Sequence, residues 1–183
     1  DYAINASLVL SYVAMRKDDK AGLVTFNEYF DTFVPASKQV GQMQTLLENL
    51  YKQETTFGET DFSALCGHLG KHVNKRSFLV LYTNFSNMTS LNRQLVYLQQ
   101  LARQHRVLVV FFEDVDLKEY IAGKSATTEE YYRHVIAEKF AFEKRLIVST
   151  LKQHGIYSLL TTPDKLSIDV INKYLEMKSR QLL

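Results

Sequence analysis

Arg106-Val-Leu-Val-Val-Phe-Phe112 decides the fold: six apolar residues in unbroken succession, β-branched or aromatic but for Leu108, halted at once by Glu113-Asp114-Val-Asp116. A strand with one wet face alternates apolar and polar side chains, whereas an unbroken apolar run of this length suits a strand covered on both faces, as parallel sheets are. Working outward, Ser77-Phe-Leu-Val-Leu-Tyr82 repeats the pattern, and 91–103 between them is amphipathic, so the three segments read as a strand, a crossover helix and a parallel strand. Downstream, Thr127 and Glu130 have capping-box spacing and open a long helix toward His154, with Gly155 suited to stop it. Ile156-Tyr-Ser-Leu-Leu160 follows as a last strand ending near Pro163, and 167–178 as a terminal helix. Upstream, 2–16 is apolar nearly all round and predicts a largely buried helix. Ala21–Phe26 and 29–34 read as a strand pair ending at Pro35. The stretch 39–53 carries Val40, Met43, Leu46, Leu47 and Leu50 at helical spacing, and 62–74 suits one more helix.

The expected class is therefore α/β, three layers, with a mostly parallel sheet and helices on both faces. The 183 residues, 46% hydrophobic and 23% charged, suit one folded domain over 1–183. With 22 basic and 20 acidic side chains the net charge is only +2, which gives no field to steer nucleic acid or an anionic membrane toward the chain. One cysteine, Cys66, leaves no internal disulfide and no multi-thiolate zinc site. No apolar run is long enough to span a bilayer. The chain starts at Asp1, directly in an apolar helix, which suggests a piece of something longer.

Open parallel sheets bind ligands beyond the carboxyl ends of their strands. The polar segments there are Asn27-Glu28, Thr83-Asn84-Phe85-Ser86-Asn87 and Glu113-Asp114, with Glu59-Thr60-Asp61 ahead of a helix as a fourth. Each has a plainer reading. Thr60 suits a helix N-cap, Asp61 a carboxylate in a first helical turn, Thr83–Asn87 a turn, and Glu113, Asp114 and Asp116 a solvated acidic loop. Cys66 falls on the apolar face of its helix, as a core residue would. His68 and His72 have the spacing of a metal-binding pair but lack the intervening glutamate and a third ligand. The aromatic group Tyr131, Tyr132, Phe140 and Phe142 reads as helix packing.

Asp1-Tyr-Ala-Ile-Asn-Ala-Ser-Leu8, Asp19-Lys-Ala-Gly-Leu-Val-Thr-Phe26, Gly58-Glu-Thr-Asp61, Phe78-Leu-Val-Leu-Tyr-Thr-Asn84 and Asn172-Lys-Tyr-Leu-Glu-Met-Lys178 occur in this order along essentially the whole chain. The set resembles the ordered signature of the bacterial DUF58 family, whose domain is similar to von Willebrand factor A domains. The resemblance implies a non-enzymatic protein-interaction domain working beside a MoxR-type AAA ATPase, on the cytoplasmic face of the inner membrane, behind N-terminal membrane spans absent from this chain. It also implies that the domain's first, central strand precedes Asp1, so that the strands beginning at Ala21 and Phe78 should not pair directly. In A domains a metal-ion-dependent adhesion site combines an Asp-x-Ser-x-Ser loop, a threonine and an aspartate around magnesium. Carried over, the metal positions are Thr60 and Asn84, with Asp61, Thr83, Ser86 and Asn87 as binding residues around them. Two departures count against the metal: the Asp-x-Ser-x-Ser loop does not occur, and a neutral amide stands in the aspartate's place, so weak or absent magnesium is expected. Two other readings stand beside this one. One is a hydrolytic or phosphoryl-transfer enzyme using a strand-end acid such as Asp114, though no phosphate loop or nucleophile elbow is present. The other is a structural scaffold with a dead site.

Overall fold

The computed structural model describes residues 2–27, 30–53, 60–85, 87–113 and 128–183. Among these residues the elements follow in the order α1 (Tyr2–Arg16), β1 (Ala21–Phe26), β2 (Phe30–Ser37), α2 (Gln42–Tyr51), α3 (Phe62–His72), β3 (Phe78–Tyr82), α4 (Met88–Gln104), β4 (Arg106–Phe112), α5 (Thr128–Gln153), β5 (Tyr157–Thr161) and α6 (Leu166–Ser179). The class is α/β, as the sequence predicts. The chain divides into two compact units, 1–76 with 164–183, and 77–163.

The second unit holds a parallel sheet in the order β3-β4-β5. Both connections, β3–α4–β4 and β4–α5–β5, advance in the same direction, and right-handed crossovers of that kind put their helices on one face. As this requires, α4 and α5 pack on each other. Val107 through Phe111 are buried without a break, as an unbroken apolar run requires. Leu91, Leu98 and Leu101 of α4 and Ile147 and Leu151 of α5 are buried too. Gly155, at φ +71°, closes α5: its N–H donates to the Lys152 carbonyl and the Ile156 N–H reaches back to Leu151, both at 3.0 Å.

The first unit contains the antiparallel pair β1-β2. β2 does not stop at Pro35 but continues to Ser37. A proline costs a ladder donor, and the strand accommodates it opposite a register shift between Ala21 and Leu23. Gly22 occupies that shift, and a Cβ there would lie 2.7 Å from the Val34 carbonyl oxygen and 2.8 Å from the Ala36 nitrogen. Gln42 ties the irregular stretch to α2, its Nε2 donating to the carbonyls of Ala21 (2.8 Å) and Pro35 (3.0 Å). The predicted start of α2 at Gln39 moves to Gln42 because Gly41 takes a left-handed backbone, φ +92°, and Val40 is left fully exposed.

α6 packs along α1 through buried Leu166, Val170, Tyr174 and Met177. Polar groups fasten the same seam: the Asp19 carboxylate accepts from the Tyr174 hydroxyl and, at 2.6 Å, from Lys178 Nζ, which also donates to the Lys17 carbonyl at 2.9 Å. Burial and then the adjoining carboxylate push the Tyr174 phenol well above its ordinary pKa. No helix among the described residues is long and apolar enough to cross a membrane.

Candidate functional site

In the first unit, β1 is followed by Asn27, whose carbonyl accepts from the Asp61 N–H at 2.9 Å. This bond sets the start of α3 beside the strand end. The cap of α3 is Asp61, not Thr60: its Oδ1 accepts from the N–H groups of Ser63 (2.8 Å) and Ala64 (3.0 Å), serving two donors that a helix start leaves unmet. Asp61 therefore stands one position ahead of the first turn in which the sequence put it. Thr60 precedes the cap and is half-buried. Near the same strand end a shallow hollow of about 330 Å³ is lined by Asn27, Asp31, Thr32, Asn49, Lys52 and Gln53. Several of its polar groups serve one another, Asp31 accepting from Thr25 and Thr32, and Gln53 donating to Thr32 and the Asn49 carbonyl.

Cys66 is buried, and burial, then the Asp61 carboxylate, raise its thiol pKa to about 11, so it is a protonated core residue at neutral pH. The rings of His68 and His72 stack with centroids 4.4 Å apart, and Phe33 packs against both at 5.8 and 5.4 Å. These two histidines meet as an aromatic cluster. Among the described residues no three His, Cys, Asp or Glu side chains gather as a metal would need.

In the second unit the strand ends bring together Thr83-Asn84-Phe85 after β3, Glu113 after β4 and Thr161-Thr162 at the end of β5. The Thr83 N–H donates to Val110 at 3.0 Å and the Glu113 N–H to Thr161 at 2.9 Å, so the ladder carries past the last strand residues. Asn87 is not part of an open turn: it caps α4, its side chain accepting from the Ser90 N–H at 2.9 Å while Ser90 Oγ accepts from the Asn87 N–H at 3.3 Å. This reciprocal box starts α4 three residues ahead of the sequence-based boundary. Its spacing, Asn87 and Ser90, is visible in the sequence but is hidden inside a run of turn-forming residues.

Sequence reasoning missed Lys144. From α5 its ammonium donates to Asn84 Oδ1 at 2.7 Å and to the Phe85 carbonyl at 2.8 Å, and it lies 5.6 Å from the centroid of the buried Phe111 ring, within cation–π range. A resident cation thus meets the side-chain oxygen that the adhesion-site pattern would give to a metal. Two neutral oxygens and a ring face suit a monovalent charge. A dication drawn to Asn84 at about 4 Å from that ammonium would be repelled, at an effective dielectric of 20, by roughly 8 kcal/mol, twice the figure for two unit charges.

Of the residues singled out in the sequence, Thr60 and Asp61 belong to the first unit, and Thr83, Asn84 and Asn87 to the second. Ser86, Asp114, Asp116, Glu28, Glu59 and Thr127 lie outside the described residues. The family model described as "Protein of unknown function DUF58" matches residues 1–121. The runs at Asp1–Leu8, Asp19–Phe26, Gly58–Asp61 and Phe78–Asn84 fall inside this match, and Asn172–Lys178 beyond it. No curated protein and no solved structure matches the chain.

Proposed function

For a chain that belongs to the DUF58 family, we propose a non-enzymatic protein-interaction domain of a bacterial protein, which engages its partner at the carboxyl ends of the parallel strands. The partner we propose is a MoxR-type AAA ATPase, met at the cytoplasmic face of the inner membrane. On this reading 1–183 acts as one von Willebrand A-like domain whose adhesion site is degenerate. Thr60 and Asn84 mark its metal positions, and magnesium is bound weakly or not at all. The observation that supports it is the Lys144 ammonium on Asn84 and Phe85: the strand ends carry their own positive charge, and a partner carboxylate has a cation to approach without a metal. Thr83 would border that approach.

The same contact favours a second reading, a scaffold with a dead site, because Lys144 and Asn84 satisfy one another internally. Calorimetric titration of a MoxR-type ATPase from the same organism separates the two. Saturable binding that weakens at least about tenfold in Thr83→Arg supports the interaction domain. Binding indifferent to Thr83→Arg, or none, leaves the scaffold. Turnover of nucleotide or ester substrates that disappears in Asp114→Asn would replace both with an enzyme.

A further inference from the structure

α5 is 26 residues long, about 39 Å at the usual rise, and only Ala137, Ile147 and Leu151 on it are buried. Most of its other large apolar side chains are open to solvent. Tyr131, Val135, Phe142 and Leu146 share one row of the helix surface, with Tyr132, Ile136 and Phe140 on the next, and all are between 40% and 66% exposed. Two adjoining rows of seven such residues form a continuous stripe, which a monomeric soluble surface rarely displays.

The charges beside the stripe are polar along the helix. Thr128–Glu138 carries Glu129, Glu130 and Glu138 against Arg133, a net −2, while Lys139–Gln153, apart from the Lys144 ammonium held at Asn84, carries Lys139, Arg145 and Lys152 against Glu143, a net +2. A copy of the helix running antiparallel sets each acidic half against a basic one. With the two-fold axis between Glu138 and Lys139, Val135 faces Phe142 of the second copy, Tyr131 faces Leu146, and Glu138 meets Lys139 on both sides of the axis. A two-fold contact uses one patch twice and so must be self-complementary, as this one is in both apolar content and charge. Seven half-exposed side chains offer on the order of 700 Å² per copy, or about 1,400 Å² in all, within the range of a stable interface.

We propose that this protein forms a two-fold dimer through antiparallel packing of α5 against α5 of a second copy. Sedimentation of the purified protein across a concentration series tests this, with circular dichroism to verify folding. The native chain should dimerise reversibly. Lys139→Glu and Glu138→Lys each bring like charges together twice and should weaken the dimer at least about tenfold, while Glu138→Lys combined with Lys139→Glu restores the pairing and the dimer. Val135→Glu should give a folded monomer. A native protein that stays monomeric at high micromolar concentration, or a dimer unmoved by the single charge reversals, overturns the proposal. So does a monomer that binds anionic lipid vesicles and loses that binding in Val135→Glu.

Discussion

Lys144 reaches Asn84 across 60 residues of chain, which is why this pair escapes any reading of local sequence. The neutral amide at position 84 is visible in the sequence; the ammonium that satisfies it is not, because only the crossover from β4 through α5 brings the two together. Removing the amine in Lys144→Met leaves Asn84 and Phe85 each without that donor and should lower stability by about 1–2 kcal/mol, read as a shift in the denaturant midpoint at unchanged slope. Asp19 plays a comparable part between α1 and α6, where it serves Tyr174 and Lys178 together. Asp19→Ala should cost about 1–2 kcal/mol, limited by partial solvent access to the pair. The physical content of the Tyr-Leu-Glu-Met-Lys run at 174–178 is thus a helix seam: Tyr174 and Met177 buried in it and Lys178 tied across it.

His105 adds a pH dependence. It is buried, with neither ring nitrogen partnered among the described residues, and burial lowers its pKa below the ordinary imidazole value. The unfolded chain then binds a proton that the folded chain refuses, so His105 contributes stability that is whole above about pH 6.5 and falls as pH drops below it. In His105→Gln the slope of stability against pH should flatten in that window. An unchanged slope would show that the acid sensitivity arises elsewhere.

Elements were legible where hydrophobic period and length agree. β4 runs over Arg106–Phe112 as its apolar succession requires, and α1, α3 and α6 lie within two residues of their expected bounds. The Asn87–Ser90 box that advances α4 is a side-chain signal hidden among turn-forming residues, whereas two other misses come from backbone conformation that side-chain pattern does not encode: Gly41 in the left-handed region delays α2, and the shift at Gly22 lets β2 pass through Pro35. The last of these gives a sharp expectation. Gly22→Ala puts a methyl group under 3 Å from backbone atoms of Val34 and Ala36, which cannot swing aside as a flexible side chain would. It should lower stability by about 2 kcal/mol or more, and a midpoint within error of the native chain would refute the tight approach. The aromatic group Tyr131, Tyr132, Phe140 and Phe142, expected as helix packing, is exposed instead, because Ala137, Ile147 and Leu151 supply the packed face of α5.

At the scale of the whole molecule, the α/β class and the parallel sheet were readable because a strand buried on both faces has a distinctive composition, and the family was readable from the order of short motifs. A partner cannot be read the same way, since the strand-end residues Thr83, Asn84 and Asp61 each also serve turns, caps or internal contacts. The central claim is that the strand-end surface carries its own cation in place of a metal. Calorimetric titration of magnesium into the protein at its full encoded length tests this most directly. The native chain should give no saturable heat at micromolar protein and metal, and binding should strengthen in Asn84→Asp, further so when combined with Lys144→Met. Micromolar magnesium affinity in the native protein, unchanged by Asn84→Asp, would contradict it and put the metal at other residues.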